Sequence, residues 1–138
     1  MNNLKMAVDY VKRASRCLRE AESALREEDY PMAVRRAQEC VELALKAVLR
    51  YIGVEYPRKH DVGDVLVKSS DRLPEGFRAE RLAGYLKVLS LKRGPAMYGY
   101  EEELTPASEL FVRGDAEEGV RMAMETLEEA RRVIGITA

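Results

Sequence analysis

Apolar residues recur every three or four positions along most of this chain, and that spacing predicts helices. Over residues 4–27, Leu4, Ala7, Val11, Ala14, Leu18, Ala21 and Leu25 fall on one narrow stripe, as in a helix packed lengthwise against a neighbour. Asp29-Tyr30-Pro31 then breaks the chain and restarts it, since proline at a first helical position gives up an N–H that had no partner there. Over residues 31–52 a wider face predicts the most buried helix: Ala33, Val34, Ala37, Cys40, Val41, Ala44, Leu45, Val48 and Leu49. Gly53 suits its stop. A short helix is expected over 61–70, carrying Val62, Val65 and Leu66, and another over 75–92, with Phe77, Leu82, Tyr85, Leu86 and Leu89 inward. Gly94-Pro95 marks the end of that helix, and an aromatic and acidic loop from Met97 to Glu103 follows. Thr105-Pro106 starts a short turn to about Phe111. Asp115 and Glu118 then have the spacing of a capping box opening the last helix, whose stripe is Ala116, Val120, Ala123, Leu127, Ala130 and Ile134. No segment alternates in the manner of a strand. The expectation is an all-α, up-and-down bundle of four or five helices, one domain over residues 1–138.

Composition adds little to the fold and more to the exclusions. Of 138 residues, 46% are hydrophobic and 34% charged, a folded chain with a heavily ionised surface. Lys plus Arg number 23 against 24 Asp plus Glu, so bulk charge argues against a strongly basic nucleic-acid domain and leaves room only for a local patch. The first residues lack the apolar core of a signal peptide, and no apolar run is long enough to cross a bilayer, so a cytoplasmic protein without membrane contact is expected. Asn and Gln are scarce while Glu and Arg abound, a bias shared with heat-adapted proteins.

Chemistry-bearing residues are few. Folding the first two helices about the turn near Asp29 puts Cys17 and Cys40 at one level; they are either two small buried hydrophobes or a stapling disulfide. No Cys or His stands at ligand spacing, so neither a metal nor another cofactor is expected. His60 is the one histidine, beside Arg58 and Lys59, whose charges would lower its pKa; it either opens a helix or serves as a base. Arg78, Arg81, Tyr85 and Lys92 share a side of the fourth helix, a solvated face or a stripe that follows a nucleotide or RNA backbone. Glu42 and Lys46 form a favourable i, i+4 pair that supports the helix or borders a nucleotide pocket.

Residues 33–47, with small residues, then Gln38-Glu39, then Lys46-Ala47, followed by Gly53, Pro57 and His60-Asp61, resemble the second helix and following loop of the HEPN family. The closing helix from Asp115 to Ala130 is similar too, and the resemblance covers nearly the whole chain. It implies a small helical bundle that works as a homodimer. Many members resemble metal-free RNases with an Arg followed four to six residues later by a His, the His moving a proton at the ribose 2′-hydroxyl and the Arg holding the phosphate. The matching arginine here is Arg93. The family's toxin members resemble Arg-x4-His-x-Tyr, and this chain reads Arg93-x4-Tyr98-x-Tyr100. A Tyr hydroxyl with a pKa of about 10 is a poor general base at neutral pH, so Tyr98 in the His position argues against RNase activity. His60 would replace the missing base only if the fold set it beside Arg93. In related toxin pairs a small nucleotidyltransferase modifies the final Tyr, which makes Tyr100 the candidate acceptor. Arg93 and the tyrosines also have bland readings, a helix C-terminal cation and amphipathic surface cover. Three functions follow as expectations: an interaction module that binds nucleotide or RNA and pairs with a nucleotidyltransferase, a metal-independent endoribonuclease toxin, or a structural dimerisation domain.

Overall fold

The computed structural model describes residues 3–58 and 61–137. Lys59 and His60, and with them both roles expected of His60, lie outside the described residues. Among the described residues five helices carry the fold: α1 (Asn3–Arg26), α2 (Tyr30–Tyr51), α3 (Val62–Lys68), α4 (Ala79–Tyr98) and α5 (Arg113–Ile134). Two single 3-10 turns, Ser70–Arg72 and Ala107–Glu109, sit in the connections before α4 and α5. Helix α2 is the hub, packing against α1, α3, α4 and α5. The architecture is the expected all-α, up-and-down bundle.

Small residues let the helices close in. Ala7, Ala14, Ala21 and Ala24 on α1 face Ala33, Ala37 and Ala44 on α2, all buried. On α5, Gly119 lies over α2 and α4, with the Ala37 methyl and Leu89 at ordinary contact distance, 3.4 and 3.6 Å, from where a side chain would begin. Every residue assigned inward on α2 and α5 is buried. On α1 the stripe is shifted slightly: Cys17 and Ala24 join it, Leu18 and Leu25 are half-buried, and Leu4 is exposed.

The turn between α1 and α2 is built by one residue acting twice. Glu28 takes a left-handed conformation, φ 63°, which lets Asp29 N–H reach back to Ala24 O at 2.8 Å and close α1. The Asp29 carboxylate then accepts from Met32 N at 3.2 Å and opens α2. Cys17 and Cys40 are buried free thiols. Burial pushes the Cys40 thiol far above its ordinary range, with Cys17 a further contributor.

Three expectations need correction. The spacing places the fourth helix over 75–92, but α4 begins at Ala79, because Gly76 at φ 90° and a Phe77 N to Pro74 O bond of 3.1 Å make residues 74–77 a turn. It also runs through Gly94-Pro95 to Tyr98. Pro95 removes only the bond to the carbonyl of Leu91, an exposed residue whose carbonyl water can serve, while buried Ala96 holds the last turn against the core. Arg93 therefore sits inside the helix, not after it. Finally, Asp115 does not cap α5: Val112 is the N-cap, and Asp115 is the third residue, its carboxylate accepting from Val112 N at 2.9 Å.

Candidate functional site

The first candidate region is a groove beside α2. Asp61 caps α3 by accepting from Gly63 N at 2.8 Å, and Gly63 lies so close on Ala83 that a side chain there would meet its methyl at 3.1 Å. This contact pins α3 to α4 and carries the preceding loop against both helices. The result is a pocket of about 400 Å³ whose polar walls are Glu42, Lys46, Tyr56, Arg58, Asp61 and Ser90. Gln38, buried to 1% exposure in the α2 core face, donates to Glu42 at 3.3 Å; Lys46 binds the other oxygen of Glu42 at 3.4 Å. Gln38 Oε1 has no partner among the described residues. Lys46 and Arg50 lie over the Tyr56 ring, at 5.7 and 5.1 Å. Burial pushes the Tyr56 hydroxyl above its ordinary range, and Arg50 pulls against it. The cations suit a phosphate and the aromatic face a ring, while the Glu42 and Asp61 carboxylates can accept only from a ligand's hydroxyl or N–H groups.

Arg93 follows Ser90 by one turn of α4, and so continues the groove side of that helix. Arg93 is exposed and makes no ion pair with any described residue. Tyr98 and Tyr100 are exposed at 63% and 48%. Tyr98 ends α4; Tyr100 opens a tight loop closed by two bonds, Tyr100 N to Thr105 O at 2.9 Å and Thr105 N to Tyr100 O at 3.0 Å. Glu101, Glu102 and Glu103 form its exposed tip.

The four residues expected to share a side of the fourth helix do so, and that side faces α5. Arg81 holds Glu125 with two bonds of 2.6 and 3.2 Å, Tyr85 donates to the same carboxylate at 3.0 Å, and Arg78 pairs with Glu125 at 3.6 Å and Glu129 at 3.7 Å. Lys92 approaches Asp115 at 4.0 Å. The Arg81 bond, with help from Tyr85, holds the Glu125 carboxyl below its ordinary value of 4.5. A depressed folded value means the network's contribution to stability is complete above pH 4.5 and is lost as pH falls through the folded value. Glu125→Gln should therefore lower the urea midpoint at neutral pH and flatten its decline down to about pH 3 relative to the parent chain. Parallel declines in the two proteins would deny Glu125 this role.

Residues 7–136 match the HEPN domain. The chain belongs to the HEPN family. A candidate toxin of Methanocaldococcus jannaschii is 33% identical over 132 residues, covering 91% of this chain and 86% of that protein. The crystal structure of TT1696 from Thermus thermophilus is similar at a TM-score of 0.74, with 30% identity over 96% of this chain and 98% of that one. An archaeal HEPN homologue, ST0689, is similar at a TM-score of 0.68, with 27% identity over 93% and 97%.

In this HEPN chain Arg93 and Tyr98, the residues expected at the motif's arginine and histidine positions, stand on successive turns of one continuous helix. Arg93 and Tyr98 are five residues apart in α4, so they leave its axis about 140° apart and do not point at one spot. The groove residues Tyr56 and Ser90 did not stand out in the sequence as a site. Glu42 and Lys46, the pair whose spacing left a pocket-bordering role open, do line the groove, and Gln38 beside them is an amide at a position the α2 periodicity assigns to the core. No three His, Cys, Asp or Glu side chains cluster as metal ligands among the described residues, and none of the described helices is long and apolar enough to cross a membrane.

Proposed function

We propose that this HEPN protein is the nucleotide- or RNA-binding half of a toxin-type pair, homodimeric, and controlled by a small nucleotidyltransferase that modifies Tyr100. The observation that carries the reading is Arg93: an exposed guanidinium without a described carboxylate partner, one turn from a polar groove already furnished with Lys46, Arg58 and the Tyr56 ring. Arg93 takes the phosphate, and the groove takes the base. Lys92, Arg78, Arg81 and Tyr85 extend contact to a longer strand only by loosening their pairs with α5. In the modification, the Tyr100 hydroxyl oxygen attacks the α-phosphorus of a nucleoside triphosphate, pyrophosphate leaves, and the hydroxyl proton passes to a base of the transferase. Support comes from the exposure of Tyr100, from its position on a loop held by two backbone bonds, and from the likeness to a candidate toxin. Tyr98 replaces the histidine base, and RNA cleavage is not expected of it.

The protein, incubated with a cognate nucleotidyltransferase and ATP, should gain the mass of added nucleotidyl groups, and Tyr100→Phe should abolish the gain. No adduct and no complex would overturn the pairing. Metal-independent RNA cleavage that Arg93→Ala abolishes would replace this reading with that of an active toxin nuclease.

A further inference from the structure

The groove beside α2 holds one carboxylate in a set orientation. Gln38, Glu42 and Lys46 follow one another at intervals of four, so they line one side of α2 on successive turns. Gln38 Nε2 donates to Glu42 Oε1 at 3.3 Å, and Lys46 Nζ donates to Glu42 Oε2 at 3.4 Å. The first of these bonds is well anchored, because the Gln38 side chain is buried in the core. Both donors approach along the helix, from the turn before and the turn after. Each carboxylate oxygen therefore spends one lone pair within α2 and keeps another. Glu42 and Lys46 both line the groove, so the remaining lone pairs and the remaining ammonium protons are what α2 offers a ligand. Leu86 and Ser90 of α4 and the Tyr56 ring complete the walls around them.

We infer that this groove selects guanine among the bases. The assignment rests on the reading that the groove takes a base, and names which one. From Lys46 toward Gln38, the polar edge of α2 reads donor, acceptor, acceptor: Lys46 Nζ, Glu42 Oε2, Glu42 Oε1. The Watson–Crick edge of guanine reads acceptor, donor, donor: O6, the ring N–H and the amino group. Helix α2 thus presents the order that cytosine presents to guanine in a base pair. The other common bases answer at most two of the three positions. Adenine and cytosine offer one ring-nitrogen acceptor beside one amino donor and nothing for the third. Uracil follows its ring N–H with a second acceptor, which would stand against Oε1. Single bases are read on this edge when they lie outside a duplex. Two adjacent N–H groups on one carboxylate also make the stronger kind of hydrogen bond, since the acceptor is charged. The cavity of about 400 Å³ lies in the range that takes small ligands, and the Tyr56 ring gives the base a flat wall.

Isothermal titration calorimetry on the full chain tests it, with the 5′-monophosphates of guanosine, inosine, adenosine, uridine and cytidine. The guanosine nucleotide should bind about tenfold or more tightly than each of the others. Inosine is the sharpest comparison, because it differs only in lacking the amino group that meets Oε1. Glu42→Gln keeps one acceptor of the two, so it should bring the guanosine nucleotide down to the level of the inosine nucleotide with helical circular dichroism unchanged. Glu117→Gln, on an exposed part of α5, should leave the preference as it was. Guanine reaches the groove either as a free nucleotide or within RNA. A hexauridylate with one internal guanosine that binds far more tightly than the mononucleotide assigns it to RNA, and equal binding assigns it to the free nucleotide; either supports guanine, provided that adenosine in its place costs about tenfold. Equal affinity for the guanosine and inosine nucleotides, or a preference that survives Glu42→Gln, would overturn the choice of guanine and leave the groove a nucleotide site. No binding by any nucleotide or by the oligomer would overturn the groove as a base site altogether. Nucleotide transfer to Tyr100, read by mass, stands apart from both results.

Discussion

Leu45→Ala should cost about 3 kcal/mol of folding stability and lower the melting temperature by on the order of 10 °C. Leu45 is completely buried at the centre of α2. That helix packs against all four others, so no neighbour can move in to fill the space without leaving another contact. Removal of three side-chain carbons takes away their transfer free energy and leaves a cavity that the alanine-lined α1–α2 contact is already too close to absorb. Urea unfolding with a shared slope for the two proteins measures the loss. A difference below about 1 kcal/mol would mean that α2 is not the hub of the core.

The bundle was legible because its signals are local. Helices α1, α2 and α5 end within a residue or two of the periodic segments, since apolar spacing and the Asp29-Tyr30-Pro31 break act within a turn or two of where they stand. Helix α4 departs from its pattern at both ends, for opposite reasons. Residues 75–78 have helical spacing, but Gly76 and the Pro74 carbonyl make a turn of them. Gly94-Pro95 is a strong stop signal by composition, but a proline breaks a helix only where the lost bond and its ring matter. Here the lost bond falls on the exposed Leu91 carbonyl, and the burial of Ala96 one residue later continues the helix. A one-dimensional pattern carries no record of which side faces water.

The candidate site was less legible, because its parts meet across long stretches of chain. Arg81 and Tyr85 meet a carboxylate 40 or more residues away, on α5, so the basic stripe looked unpaired in the sequence. The groove joins α2, the loop before α3, and α4; neither Tyr56 nor Ser90 carries a pattern that announces it.

Gly99→Ala should release the loop that carries Tyr100. Gly99 sits at φ 69°, ψ −157°, a region open essentially to glycine alone. Space forbids a side chain as firmly as the backbone does: a methyl would overlap the Thr105 carbonyl oxygen and come within 2.9 Å of the Ala107 nitrogen. Both are backbone atoms, and Thr105 O is the acceptor of one of the two bonds that close the loop. The chain can relieve the overlap only by opening that Tyr100–Thr105 pair, at a cost of about 2 kcal/mol. The helices need not follow, since Gly99 N bonds back to Pro95 O at 2.8 Å and ends α4 just before the loop. Hydrogen exchange at the Tyr100 and Thr105 amides should accelerate about thirtyfold while the α2 amides change far less. If nucleotide transfer to Tyr100 depends on a preset loop, its rate should fall in the same variant, with the adduct still on Tyr100. Unchanged protection at both amides would show that the glycine, and the turn it makes, do not hold this loop in place.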